Sequence, residues 1–268
     1  MRRALAGCLA LSVAAPPLGV FLVLRRMSLM SDVLQHGVLP GIAVGAAVGG
    51  LSVWAMGAGG IAAGLIVALL AGWLARRTGS GEDSQLAGLY LVALAAGVAL
   101  VSAQRGVDLT HLLFGSVLAV DDPALLAMAG AASVTLPVLA VIWRPLVLES
   151  LDPGFSGSRG GLWHGAFLAL VVLCVVSGFE ALGTLMSVGL MMLPAIAARH
   201  WSGSLAGQVA TAVGLAVAAS VAGLLLSFNV EIPAGPAIVL TAGAFWVVSL
   251  AAGPKDGLLR RDRTGSTT

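Results

Sequence analysis

Residues 25–41 organise the predicted fold, and they read Arg25-Arg26-Met27-Ser28-Leu29-Met30-Ser31-Asp32-Val33-Leu34-Gln35-His36-Gly37-Val38-Leu39-Pro40-Gly41. Two arginines close one apolar segment, and the next apolar segment begins with an Asp and a His inside it. On a helix, Asp32 and His36 share a face about one turn apart. A charged residue within a membrane span costs roughly 2.5–3.5 kcal/mol on insertion scales, so it is a functional candidate by default. Carboxylate and imidazole are common ligands of divalent metals, so the pair could begin a metal site.

The composition indicates that the chain lies in a lipid bilayer. Of its 268 residues, 59% are hydrophobic and 10% are charged, whereas soluble domains carry about 25% charged residues. The mean hydropathy is +1.02, and a soluble core could not absorb this much apolar sequence. The 36 glycines are typical of membrane helices that pack closely through small residues. The net charge of +2 gives no indication of a nucleic-acid partner.

Apolar segments of about 20 residues can cross the hydrocarbon of a bilayer. Nine are predicted, at residues 4–24, 33–53, 57–75, 86–104, 123–143, 162–179, 181–198, 205–227 and 234–252. Because Gly178-Phe179-Glu180 leaves almost no loop before the seventh segment, eight spans is the alternative. The predicted fold is therefore an all-α polytopic membrane protein.

The distribution of basic residues predicts the orientation of these spans, since cytoplasmic loops are enriched in Lys and Arg. With nine spans and an N-terminus outside, 11 of the 14 basic residues fall in the cytoplasm. Only Arg2, Arg3 and Arg105 fall outside, and the C-terminus is then cytoplasmic. Residues 1–254 are predicted to form one membrane domain. The polar, charged residues 255–268 are predicted to form a disordered cytoplasmic tail.

The Asp32/His36 pair has two interpretations. It can contact a transported metal or another substrate, or it can be structural, with a carboxylate near the helix start and a His satisfied by a backbone carbonyl. Two ligands are too few for a closed zinc site, but a homodimer with a two-fold axis would supply the pair twice. A straight helix from residue 31 to 53 would leave the pair near its cytoplasmic end. Pro40-Gly41 is expected to break or bend that helix, and broken helices bring polar groups to midmembrane depth in transporters.

A glycine repeat follows the pair on the same span. Gly41, Gly45 and Gly49 recur every four residues and predict a small-residue ridge against which another helix packs closely. Scatter in a glycine-rich chain is the alternative. The ridge favours an interior position for this span.

Other polar residues are weaker candidates. Asp108 and His111 could form an accessory metal-entry site in an outer loop, but an ordinary solvated loop is the favoured interpretation. Glu180 could line the translocation path or be an exposed residue at the outer end of a span. His164 and His200 stand beside Trp163 and Trp201, and anchoring at the membrane interface explains both pairs.

Two kinds of chemistry are excluded or unsupported. Cys8 and Cys174 lie in apolar segments and are expected to be small buried residues, not a disulfide framework. The single lysine, Lys255, stands between Pro254 and Asp256, so the chain has no nucleotide-binding P-loop of the usual pattern. If transport is ATP-driven, another subunit supplies the ATPase.

Five stretches of the chain resemble a known family, the ABC-type zinc/manganese/iron permeases. They are residues 24–32 (LRRMSLMSD) with His36 and 39–41 (LPG), 108–115 (DLTHLLFG), 151–153 (LDP), 183–195 (GTLMSVGLMMLPA) and 233–240 (PAGPAIVL). They occur in the family's order across nearly the whole chain, and the first is the most specific.

The resemblance implies a homodimeric permease that docks two cytoplasmic ATP-binding subunits and receives metal from an extracytoplasmic metal-binding protein. It assigns metal contact to Asp32 and His36. It also identifies residues 144–161 as the segment that couples to the ATPase; on composition alone these residues could form a surface helix or a solvated loop. The residues expected to carry this coupling are Leu148, Glu149, Leu151, Asp152, Pro153 and Phe155.

The sequence therefore predicts a permease subunit, not an enzyme, in the cytoplasmic membrane of a bacterium and surrounded by its lipids. Its cargo is a divalent zinc, manganese or iron ion, and no tightly bound cofactor is expected. A permease for a metal chelate, such as a siderophore or cobalamin, is one alternative. An ATPase-independent carrier or an intramembrane enzyme is the other.

Overall fold

The computed structural model describes residues 2–28, 30–50, 52–79, 81–103, 120–151 and 160–255. Within these ranges the chain forms ten α-helices. They are α1 (Arg2–Leu24), α2 (Met30–Gly37), α3 (Leu39–Gly49), α4 (Val53–Thr78), α5 (Glu82–Ala103), α6 (Asp122–Leu151), α7 (Gly160–Leu182), α8 (Thr184–Arg199), α9 (Leu205–Val230) and α10 (Ala234–Ala252).

Seven of these helices are long and apolar enough to cross a membrane, namely α1, α4, α5, α6, α7, α9 and α10. Each of the nine predicted segments coincides with a helix or, for the second segment, with the pair α2 and α3. The seventh segment corresponds to α8, which has only 16 residues. The described residues thus confirm a polytopic helical membrane protein.

Two helices form the centre of the molecule. In the most apolar windows of α1 and α7, 72% of the residues are buried, against 22% in α4 and α5. Helix α1 packs against α6, α7, α8 and α9, and its side chains join one large apolar core. Helices α4 and α5 instead present apolar surfaces outward, as expected of surfaces that face lipid or another chain.

The second predicted span is not a single helix. It begins at Met30, breaks at Val38 and ends at Gly49, so the bend falls two residues before the predicted one at Pro40-Gly41. The physical reason is that Pro40 has no N–H, and its ring would clash with the carbonyl of His36 in a continuous helix.

The predicted glycine ridge is confirmed by the packing of α3 against α4. A Cβ on Gly41 would overlap the carbonyl oxygen of Gly59, and one on Gly45 would overlap that of Ala55. The two backbones therefore approach as closely as small-residue contacts allow. This packing holds α3, and with it the end of α2, against the face of α4.

The predictions for residues 144–151 were wrong, because these residues form neither a loop nor a separate surface helix. Helix α6 continues without interruption to Leu151 and includes Pro137 and Pro145. Its last turns are held by α1, since the Arg25 side chain bonds to both Glu149 and Ser150.

A single glycine separates α7 from α8. Gly183 has a φ of +86°, a conformation that side chains disfavour. The chain therefore turns within one residue after Leu182, which is why the sequence shows almost no loop before the seventh segment.

Candidate functional site

The helix that carries Asp32 and His36 starts from a rigid turn. Helix α1 ends in a Schellman motif, in which the N–H of Met27 bonds to the carbonyl of Leu22 and the N–H of Arg26 to that of Val23. Arg26 has a φ of +61°, the left-handed conformation that glycine usually provides at this position. The chain then reverses, and α2 begins at Met30.

The structure brings Asp32 and His36 together as the spacing predicts. His36 Nε2 lies 4.0 Å from Asp32 Oδ1, and the side chains are 26% and 58% exposed, respectively. This separation is too long for a hydrogen bond. Two ligands at roughly 2.0–2.2 Å from one metal lie no more than about 4.4 Å apart, so a small side-chain movement would let both contact the same ion.

Unsatisfied polar atoms lie on the same helix as this pair. His36 Nδ1, Ser31 Oγ and Gln35 Nε2 are buried, and none has a hydrogen-bond partner among the described residues. The His36 ring lies 5.7 Å from the ring of Tyr90 on α5. Since most buried polar atoms in proteins are satisfied, their concentration on one eight-residue helix marks α2 as unusual.

The C-terminal end of α2 lies beside the middle of α4. Gly37, the last residue of α2, faces Val67, which is close to the midpoint of the 26-residue α4. Tyr90, beside His36, lies about 12 Å along α5 from its first residue. The short α2 and its break thus put His36 well inside the helix bundle.

Glu180 is separate from the pair. Its carboxylate faces Gly57 of α4, ten residues from Val67 and therefore about 15 Å along that helix. Glu180 Oε1 is buried without a hydrogen-bond partner among the described residues. The two acidic side chains do not share a site, and within the described ranges no group of three or more His, Cys, Asp or Glu could hold a metal ion.

The residues predicted to couple to an ATPase fall into two groups. Leu148 lies on the last turns of α6 and is 47% exposed, whereas Glu149 beside it is partly buried and pairs with Arg25. Helix α6 ends at Leu151. Asp152, Pro153 and Phe155 lie outside the described residues, as do Asp108, His111 and the tail beyond Lys255.

Sequence reasoning missed a second polar cluster, formed by Arg25, Glu149, Ser150 and His164. Arg25 Nη2 donates to Glu149 Oε2 at 2.9 Å, and His164 Nδ1 accepts from Arg25 Nη1 at 3.0 Å. The interpretation of His164 as an interfacial anchor overlooked this contact. The only signal in the sequence is the placement of Arg25 beside the Asp32 motif, because its partners are 121–139 residues away.

Comparison with known proteins defines the class. The family model of the ABC 3 transport family matches residues 1–253. The chain is 31% identical over 259 residues to the manganese import system permease protein ScaB of Streptococcus parasanguinis, covering 95% of this chain and 91% of that protein. It is 28% identical over 258 residues to a probable iron transport system membrane protein of Haemophilus influenzae, covering 94% and 93%.

A solved structure agrees with these matches. The structure of PsaBC from Streptococcus pneumoniae in complex with Fab is similar to this fold with a TM-score of 0.84 and 28% identity, covering 97% of this chain and 94% of the other. The chain therefore belongs to the ABC 3 transport family, as its five motif stretches indicate. It is a multi-pass permease of an ABC importer in the bacterial cytoplasmic membrane.

Proposed function

We propose that this permease imports a divalent first-row metal ion and that Asp32 and His36 contact the ion as it crosses. The observation that carries the proposal is the position of the pair, one turn apart on a short broken helix near the midpoint of α4. Relatives named as manganese and iron transport proteins support the choice of cargo.

The exposure of Asp32 supports the pathway role. Its side chain is 58% exposed, although α2 lies within a bundle of membrane-spanning helices. A carboxylate at this depth is tolerated where it lines a water-filled cavity or faces another protein surface, not where it faces lipid. Asp32 therefore faces the translocation path or a second copy of the chain.

A homodimer would complete the metal site. One chain supplies an oxygen and a nitrogen ligand, and a two-fold axis beside α2 would bring a second pair. Four such ligands, or two with water, suit manganese, iron and zinc alike, because selectivity among these ions depends on geometry and availability as well as ligand type. Weak, incomplete coordination by each chain would also allow the ion to leave.

The proposed orientation keeps nine spans with the N-terminus outside and the C-terminus in the cytoplasm. Contacts of Arg25 support it, since they join the end of α1 to the end of α6 and the start of α7 on one side of the bundle. Arg76 and Arg77 at the end of α4 belong to the same side, because the start of α7 at Gly165 faces Leu69. A membrane domain of residues 1–254 with a tail of residues 255–268 remains a prediction.

Partners are also part of the proposal. A cytoplasmic ATP-binding subunit would dock on the segment between α6 and α7 and supply the energy. An extracytoplasmic protein would deliver the metal. Glu180, nearer the opposite end of α4 from Arg76 and Arg77, is proposed as a secondary contact for the incoming cation.

Metal uptake by cells tests the proposed site. In a strain that lacks its own copy of this permease, the wild-type chain is expected to restore growth and manganese uptake at limiting metal. Asp32→Ala and His36→Ala should each abolish this rescue, with unchanged amounts of permease in the membrane. Asp122→Ala is the matched control, because Asp122 is also more than half exposed, at 67%, but pairs with Arg3 far along the chain from α2.

Full rescue by both Asp32→Ala and His36→Ala would contradict the site. Iron and zinc are supplied in parallel to find the cargo. Competition by a metal chelate but not by free ions would favour the chelate permease. Uptake that persists after ATP depletion would favour a carrier without an ATPase.

A further inference from the structure

The Arg25 side chain holds both ends of the connection between α6 and α7. On α6, Nε donates to Ser150 Oγ at 3.1 Å and Nη2 donates to Glu149 Oε2 at 2.9 Å. On α7, Nη1 donates to His164 Nδ1 at 3.0 Å, and the guanidinium carbon lies 5.1 Å from the centre of the Phe167 ring. One planar group therefore fixes the distance between the two stems of residues 152–159.

All three guanidinium nitrogens take part in these bonds. The arrangement depends on the rigid fork of arginine, because a lysine ammonium could not reach acceptors on both helices with fixed geometry. Since an arginine can only donate, Nδ1 of His164 is the acceptor of its bond to Arg25.

The side chains of the ion pair are largely shielded from solvent. The Arg25 and Glu149 side chains are 8% and 15% exposed. A buried ion pair adds little stability over well-packed apolar residues of similar size. The ion pair is therefore more important for the position in which it holds α6 than for a contribution to the free energy of unfolding.

The backbone of Arg25 leads directly to the metal-site helix. The next residue is Arg26 in the left-handed conformation, and the Schellman bonds of Arg26 and Met27 lock the reversal. The N–H of Met30 bonds to the carbonyl of Met27, so only one further turn separates the locked reversal from Asp32. Hydrogen-bonded backbone thus connects Arg25 to the start of α2.

We propose that Arg25 is the positioning residue that couples movement of the end of α6 and the start of α7 to the Asp32/His36 helix. The inference rests on the proposed function, because the movement is that of the segment expected to dock the ATP-binding subunit. A cleft of about 320 Å³ lined by Leu24, Arg25, Arg26, Glu149 and Ser150 opens beside the pair.

The test measures coupling in the full complex. The permease and its ATP-binding subunit are reconstituted in liposomes, and Mn²⁺ transport and ATP hydrolysis are measured together. Arg25→Lys should lower the metal moved per ATP by about tenfold, within the range typical of coupling between sites, and Ser150→Ala should lower it in the same direction. Basal ATP hydrolysis and the yield of assembled complex should stay within about twofold, because both variants keep a positive charge beside Glu149.

The matched control is Arg3→Lys, since Arg3 also links α1 to α6 but at the other end and in solvent. Unchanged metal per ATP in both Arg25→Lys and Ser150→Ala would overturn the inference. If Arg25→Lys fails to assemble, Ser150→Ala decides, because it removes one bond to Arg25 without changing charge, and a coupling ratio equal to wild type would overturn the inference. A wild-type complex that moves no manganese, iron or zinc would overturn the proposed function itself, together with this inference.

Discussion

The two ends of α1 carry the same kind of ion pair in different surroundings. At the start, Arg3 Nη2 lies 3.0 Å from Asp122 Oδ1 of α6, and the side chains are 62% and 67% exposed. At the end, Arg25 Nη2 lies 2.9 Å from Glu149 Oε2 of the same helix, and the side chains are 8% and 15% exposed. Distance does not distinguish the pairs, but burial does.

The two ion pairs differ in how far water and salt weaken them. An exposed pair is screened by water and salt and contributes about 0–1 kcal/mol. A buried pair responds differently, because removing one partner leaves a charge without solvent or counter-ion. The ion pair between the two helices is therefore shielded from solvent at the Arg25 end and exposed to it at the Arg3 end.

Arg25→Ala should have the largest effect on stability. It leaves the partly buried Glu149 unpaired, which is expected to lower the free energy of unfolding by at most about 3–5 kcal/mol, the range for a fully buried pair. Thermal unfolding of the purified permease in detergent measures the change. The double variant Arg25→Met with Glu149→Leu should recover most of the loss. A drop of less than 1 kcal/mol in the single variant would mean that the pair is effectively solvated.

Ser150→Ala sharpens the comparison with an intermediate effect. It removes the acceptor for Arg25 Nε while the ion pair remains. Because the lost bond involves a charged donor, the free energy of unfolding should fall by no more than about 1.5–3 kcal/mol. If water replaces the hydroxyl, the decrease should be about 1 kcal/mol. The same unfolding measurement applies, with Ser102→Ala on the exposed face of α5 as control. An effect as large as that of Arg25→Ala would contradict the assignment of the main contribution to the charges.

Arg3→Ala should have the smallest effect. Its pair is exposed, so the expected change is below about 0.5 kcal/mol and should vanish in high salt. Unfolding is compared at low and high ionic strength. If Arg3→Ala matched Arg25→Ala, the two ends of α1 would be equivalent and the comparison would fail.

Much of the fold was predictable because membrane spans are encoded by length and composition. Segments such as those of α4, α9 and α10 stand out without reference to any partner. The extension of α6 to Leu151 was not predictable in this way. Its last turns contain Glu149 and Ser150, which belong in a helix end here because Arg25, more than 120 residues earlier, binds them.

The candidate site was predictable to a similar extent. Helical spacing was enough to bring Asp32 and His36 onto one face, and the Gly41/Gly45 repeat predicted a close helix contact. The repeat did not indicate which helix packs against it, because its contacts with Gly59 and Ala55 are seen only in the packed structure. The depth of the pair also depended on packing, through the contact of Gly37 with Val67.

The sequence by itself determined a polytopic helical permease of this family and its Asp32/His36 pair, because hydropathy, helical periodicity and short motifs are local properties. Only the tertiary structure decided the depth of that pair, the burial of Glu149 and the joining of Arg25 to α6 and α7. These properties depend on which distant helices meet. An arginine and a carboxylate form an ion pair at both ends of α1. Burial, and not residue type, then determines how much stability is lost when one partner is removed.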